Sequence, residues 1–257
     1  MRKFMGNHIK YRRLLLSCAY VAAAVIILGA VLCYALSRRN SAAEPVSASQ
    51  VTPTEISVSD ADAADADDTA ARAKEPEDGD FVRVREYLPD VEVELMYATD
   101  RNFTGKVIYA FDDAWLRYGT VRKLAEAQAT FKTKGARLKI WDAFRPVSAQ
   151  FRLWEICPNP RYVANPEKGY SSHSRGNTVD VTLVDTEGNE LAMPTGFDDF
   201  SRRADRNYAD IKDKTAVADA QWLENVMKEC GFKPYSGEWW HFSDTVRYDV
   251  AEDFVPE

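Results

Sequence analysis

Three hydrophobic patterns divide this chain of 257 residues. From Leu14 to Leu36 the sequence LLLSCAYVAAAVIILGAVLCYAL runs for 23 residues without a charge. At 1.5 Å per residue a helix of that length crosses the roughly 30 Å hydrocarbon core of a bilayer. A helix buried in a soluble core would keep a polar face, and this stretch has none. The pattern therefore predicts a transmembrane anchor over 14–36. Over 37–80 periodicity vanishes. That segment has no aromatic residue, repeats Ala, Ser, Asp and Pro, and carries 11 acidic against four basic side chains. It cannot bury enough apolar surface to offset the entropy of ordering, which predicts a disordered acidic linker. Beyond residue 80 the periodicity returns, and 81–257 is long enough for one compact domain.

Within that domain, VEVELMY at 91–97 alternates acidic and apolar positions and predicts a strand with one wet face. Residues 121–134 predict a helix stopped at Gly135, and 136–146 a strand running into a turn at Pro146. A helix is expected over 150–157, and a strand over 179–184 followed by a hairpin turn at TEGN, 186–189. Another helix is expected over 216–230, ended by Gly231, and a last strand or its approach over 238–244. Helices mixed with hairpins predict an α+β fold.

Charge adds orientation. Arg2, Lys3, Lys10, Arg12 and Arg13 precede the apolar span and only Arg38 and Arg39 follow it closely. The positive-inside rule then keeps residues 1–13 in the cytoplasm and predicts a single-pass protein of the cell membrane with its domain extracytoplasmic. Small residues at Ser41, Ala42 and Ala43 leave cleavage and release as the alternative. The formal net charge is −7, which gives no support to nucleic-acid binding, and no motif names a protein partner. Cys157 and Cys230 could pair in an oxidising exterior, though spacing does not decide it.

The candidate chemistry begins with an anomaly. In SSHSRGNTVDVTL, 171–183, Asp180 interrupts an otherwise apolar strand, where an ionised carboxylate is costly unless paired or bound to a metal. A salt bridge or backbone hydrogen bonds would serve as well as a metal. The chain has three histidines. His8 precedes the span, so His173 and His241 are the two that can join Asp180 outside the membrane. Two imidazoles and a carboxylate make a three-ligand zinc set that leaves a fourth position for water. Glu238, in GEWWHF, is spaced to act on that water.

These motifs, with IWDAFRP at 140–146 and YATDRNFTG at 97–105, all in the same order, resemble those of the VanX-like D-alanyl-D-alanine dipeptidases, a zinc D-Ala-D-Ala peptidase group. The resemblance spans about residues 85–245 and excludes the anchor and linker. Thr178 departs from the alanine usual there and leaves the ligand positions intact. The resemblance implies a single zinc-peptidase domain with a central, mostly antiparallel sheet flanked by helices. It implies one catalytic Zn²⁺ on His173, Asp180 and His241, Glu238 as acid/base, and Arg145 as the transition-state arginine. Ser171, Asp198 and Tyr97 fall at substrate-side positions, with Asp198 suited to the dipeptide's ammonium. The expected reaction is hydrolysis of D-Ala-D-Ala to D-alanine. A D,D-carboxypeptidase trimming wall stem peptides and a non-catalytic zinc module are the alternatives, the latter opposed by the presence of Glu238 and Arg145.

Overall fold

The computed structural model describes residues 74–256. The expected anchor over 14–36 and most of the linker lie outside them. No helix among the described residues is long and apolar enough to cross a membrane.

Seven strands and four α-helices make up the domain. In chain order they are β1 (Phe81–Arg83), α1 (Val84–Tyr87), β2 (Glu92–Val93), β3 (Trp115–Arg117), α2 (Tyr118–Lys132), β4 (Arg137–Asp142), α3 (Val147–Ile156), β5 (Thr178–Val184), α4 (Lys214–Glu229), β6 (Phe232–Pro234) and β7 (His241–Asp244). Short 3-10 turns lie at Met96–Ala98, Ser172–Arg175 and Arg202–Ala204. The main sheet has the order β2-β4-β5-β7-β6. Only β2 and β4 run parallel; the other neighbours are antiparallel. A separate pair, β1 and β3, is antiparallel.

The apolar spacing explains both long helices. In α2, Val121, Leu124, Ala127 and Phe131 recur at helical spacing and are buried, and the helix packs on β4 and on α4. In α4, the Asp213 side chain accepts from the backbone of Thr215 at 2.9 Å and Ala216 at 3.3 Å, capping the first turn. Phe131 meets Trp222 edge to face at 5.2 Å, joining the two helices. α3 starts directly after Pro146, whose missing N–H costs nothing at a helix start.

β5 is buried along its whole length, because the sheet is covered on both faces there. That confirms the apolar setting inferred for Asp180. The alternation over 91–97 is borne out in burial, since Val91, Val93, Leu95 and Tyr97 are inside. Only Glu92–Val93 forms a strand, however, and Met96–Ala98 turns away as a 3-10 segment. The TEGN hairpin closes on Asp185, whose carboxylate accepts from the backbone N–H of Glu187 and Asn189; its second arm is one bridge, Val184 to Glu190. The final residues of the expected linker sit on α2: the Asp80 and Asp78 carbonyls accept from the backbone of Tyr118 and Gly119. Cys157 and Cys230 are both free thiols.

Candidate active site

Strand register builds the site. Asp142 on β4 stands opposite Asp180 on β5, and Asp180 stands opposite His241 on β7. Opposed residues share a sheet face, so three polar side chains form a row across three strands. A register shift between Ile140 and Asp142 inserts an extra residue in β4, and a bulge of this kind re-aims the side chains that follow it.

His173 reaches the row from the 3-10 turn Ser172–Arg175. Ser171 caps that turn by accepting from the His173 N–H at 3.3 Å. Gly176 ends it at φ 74, a left-handed conformation, and a Cβ there would come within 2.4 Å of the Phe81 ring. Glycine is required on both counts. The His173 Nδ1 donates to the Ala143 carbonyl at 2.8 Å, which turns Nε2 toward Asp180 Oδ2 at 3.4 Å. A backbone acceptor behind an imidazole is the usual way of orienting it for a metal.

His173, Asp180 and His241 present ligand atoms that all lie within 4.8 Å of one another. Asp180 Oδ1 is buried and accepts no hydrogen bond, although His241 Nδ1 is only 3.0 Å away. A buried carboxylate oxygen without a donor calls for a cation, and two imidazoles with a carboxylate are a good donor set for zinc. The residues fit the metal. Burial alone would push the Asp180 pKa up, but the two imidazoles outweigh it and hold the carboxyl well below its usual range.

Glu238 lies 3.6 Å from His241 Nδ1. It is half-buried, and burial raises its pKa, opposed by His241 and reinforced by Asp180. Arg145 is buried and held on every side. Its Nη2 donates to Asp142 Oδ2 at 2.6 Å, Nη1 to Gln150 Oε1 at 3.0 Å and Nε to the Tyr109 hydroxyl at 3.2 Å. Its guanidinium carbon lies 5.0 Å from the centre of the Tyr97 ring. Asp198 stands on the other side, in a left-handed conformation at φ 57. The Tyr97 hydroxyl donates to its Oδ1 at 3.2 Å and the Phe103 N–H to its Oδ2 at 3.4 Å. Burial, then the charge of Asp180, raises its pKa to about 8.

All eight residues singled out from the sequence, Tyr97, Arg145, Ser171, His173, Asp180, Asp198, Glu238 and His241, line one cavity of about 320 Å³. Sequence reasoning overlooked Asp142, Tyr109 and Gln150, which fix Arg145. For Asp142 a signal was present: it is a carboxylate in the otherwise apolar run IWDAF, the same anomaly that exposed Asp180. Tyr109 and Gln150 carry no comparable mark.

Cleaving an amide asks for a Lewis acid, a base beside it and a fixed donor for the developing oxyanion. A cavity that offers candidates for each is that of a metallopeptidase. The lineage is shown by sequence: the peptidase M15 family model, described as D-ala-D-ala dipeptidase, matches residues 77–255, and the chain belongs to that family. It is 39% identical over 155 residues to the D-alanyl-D-alanine dipeptidase of Escherichia coli (strain K12), covering 60% of this chain and 79% of that one. It is 34% identical over 183 residues to the D-alanyl-D-alanine dipeptidase of Enterococcus faecalis (strain ATCC 700802 / V583), covering 63% and 90%. Among solved structures, VanYB in complex with D-Alanine-D-Alanine is similar at 14% identity and a TM-score of 0.35, over 54% of this chain and 76% of that chain.

Proposed function

We infer that the domain hydrolyses D-alanyl-D-alanine to two molecules of D-alanine, with zinc held by His173, Asp180 and His241. The observation that carries this reading is the meeting of those three side chains with Glu238, Arg145 and Asp198 around a single cavity. Zinc bound there supplies Lewis acidity and makes water a stronger acid near neutral pH. Glu238, next to the ligand set, takes the proton of the attacking water and returns it to the leaving nitrogen. Arg145 needs no reorganisation, because Asp142, Gln150 and Tyr109 already hold it; its guanidinium takes the charge that develops on the carbonyl oxygen. Asp198, oriented by Tyr97, pairs with the substrate ammonium, whose positive charge favours the ionised carboxylate and brings its raised pKa back down. The Ser171 hydroxyl, at the cavity wall, donates to the other end of the dipeptide. A cavity of about 320 Å³ lined by all of these groups supports a small substrate such as a free dipeptide.

The test is a comparison of D-Ala-D-Ala, L-Ala-L-Ala and N-acetyl-D-Ala-D-Ala as substrates of the purified protein. Cleavage of the first alone is expected. Equal cleavage of the acetylated compound would show that the ammonium is not read and would return the D,D-carboxypeptidase reading.

For location we propose that 14–36 anchors the chain and that the domain faces outward, on the strength of the basic residues before the span. The enzyme then meets dipeptide released outside the membrane. Protease added to intact spheroplasts should digest the domain; protection until lysis would invert the topology.

A further inference from the structure

Glu238 and His241 lie on, and at the end of, the connection between β6 and β7, residues 235–240. Tyr235 and Ser236 are exposed there, and Tyr235 is 54% accessible. A solvent-facing connection holds a ligand and a base in fixed relation only when something closes its neck. Arg206 does so. Its Nε donates to the Tyr235 carbonyl at 2.7 Å and its Nη2 to the His241 carbonyl at 3.0 Å. Its backbone N–H donates to the Ser236 carbonyl at 3.1 Å. One arginine therefore grips both ends of the segment. The guanidinium is itself fixed, with Nη1 donating to Glu224 Oε2 on α4 at 3.1 Å and its carbon 4.4 Å from the centre of the Phe242 ring. The Arg206 side chain is 9% accessible.

We propose that Arg206, braced by Glu224, is a positioning residue for the metal and for Glu238. It acts by setting the backbone that carries His241 and Glu238. The planar fork matters, because an ammonium is a point charge and cannot bridge two carbonyls and a carboxylate in one plane. The inference rests on the proposed hydrolytic function for its effect on turnover, but not for its effect on metal affinity.

The experiment measures zinc affinity by competition with a chromophoric chelator, together with kcat, KM and melting temperature, for the full chain carrying Arg206→Ala, Arg206→Lys or Glu224→Gln. Groups that orient metal ligands typically change affinity or activity by about 10- to 100-fold when removed. Arg206→Ala should weaken zinc binding and lower kcat within that range, with KM for D-Ala-D-Ala little changed. Arg206→Lys should recover only part of the loss, and Glu224→Gln should show a smaller loss of the same kind. A merely structural role would lower the melting temperature and leave zinc affinity and kcat intact in the folded protein; that result overturns the proposal. Should Arg206→Ala fail to fold, wild-type zinc affinity in both milder variants overturns it equally. If the wild type binds zinc yet cleaves no dipeptide, the functional reading falls while the affinity measurements still decide the role of Arg206.

Discussion

The two segments that deliver histidines to the site are built in opposite ways. The turn bearing His173 is packed: His173 is 3% accessible and Ser174 fully buried. Bonds from several parts of the chain converge on its backbone: the Arg145 N–H reaches the His173 carbonyl at 3.3 Å, the Ala251 N–H the Ser174 carbonyl at 2.9 Å and the Arg117 Nε the Arg175 carbonyl at 3.1 Å. The 235–240 connection faces solvent, anchored by buried Trp239 and Trp240 and gripped from outside by Arg206. The difference follows from what each must do. An imidazole that only orients a metal gains from immobility, whereas a proton carrier has to exchange with water and admit substrate. The first problem is solved by packing and the second by clamping the ends of an exposed segment.

Five substitutions sharpen or break that contrast. Glu238→Gln on the connection should reduce kcat by about 10²- to 10⁴-fold, the usual contribution of a general acid/base. Zinc content and urea midpoint should stay at wild-type values; a loss of metal would mean that the two segments are not separable. Asp142→Asn, behind the packed turn, should act on stability first. It leaves the Arg145 guanidinium buried without its counter-charge, and breaking such a pair typically costs about 3–5 kcal/mol. Urea unfolding reads this directly, and an unchanged midpoint would show that Arg145 does not depend on Asp142.

Gly176→Ala should cost about 1–3 kcal/mol from the left-handed backbone alone, with the approach to Phe81 added. An equivalent substitution at Gly237, whose φ is not in the left-handed region, should cost less if the connection tolerates change as argued.

A separate effect concerns pH. Asp198 titrates near 8 instead of its ordinary 3.8, so the folded protein retains a proton that the unfolded chain has released over that interval. Its contribution to stability is present below about pH 4 and is lost as pH rises through 8. Metal-free wild type should therefore lose stability relative to Asp198→Asn between those values. Adding zinc should shrink the difference, because it neutralises part of the Asp180 charge. A flat difference across the range would show that the carboxyl is ionised throughout.

Much of this arrangement was legible in the sequence, for identifiable reasons. The Asp180 strand was readable because β5 is buried on both faces and a carboxylate there stands out. α2 and α4 were readable from apolar spacing; their starts fall a few residues earlier than periodicity alone indicated, since Asp213 caps α4 and Tyr118 begins α2 directly after β3. The β1–β3 pair was not foreseen, because each strand has three residues and pairing between distant short segments leaves no periodic trace. Arg206 was invisible for a related reason. It acts through backbone carbonyls, and carbonyls have no letter in the sequence. The motifs with IWDAFRP, SSHSRGNTVDVTL and GEWWHF identified what touches the cavity, and left out much of what steadies it.

The row Asp142, Asp180 and His241 also sets an order of events. Asp180 and His241 are far apart along the chain and become neighbours only when β7 pairs with β5. Until that antiparallel pairing closes, the ligand set is incomplete. A chain in which β7 is unpaired therefore lacks the complete metal site, and closing that one ladder supplies the site and the competence to cleave together.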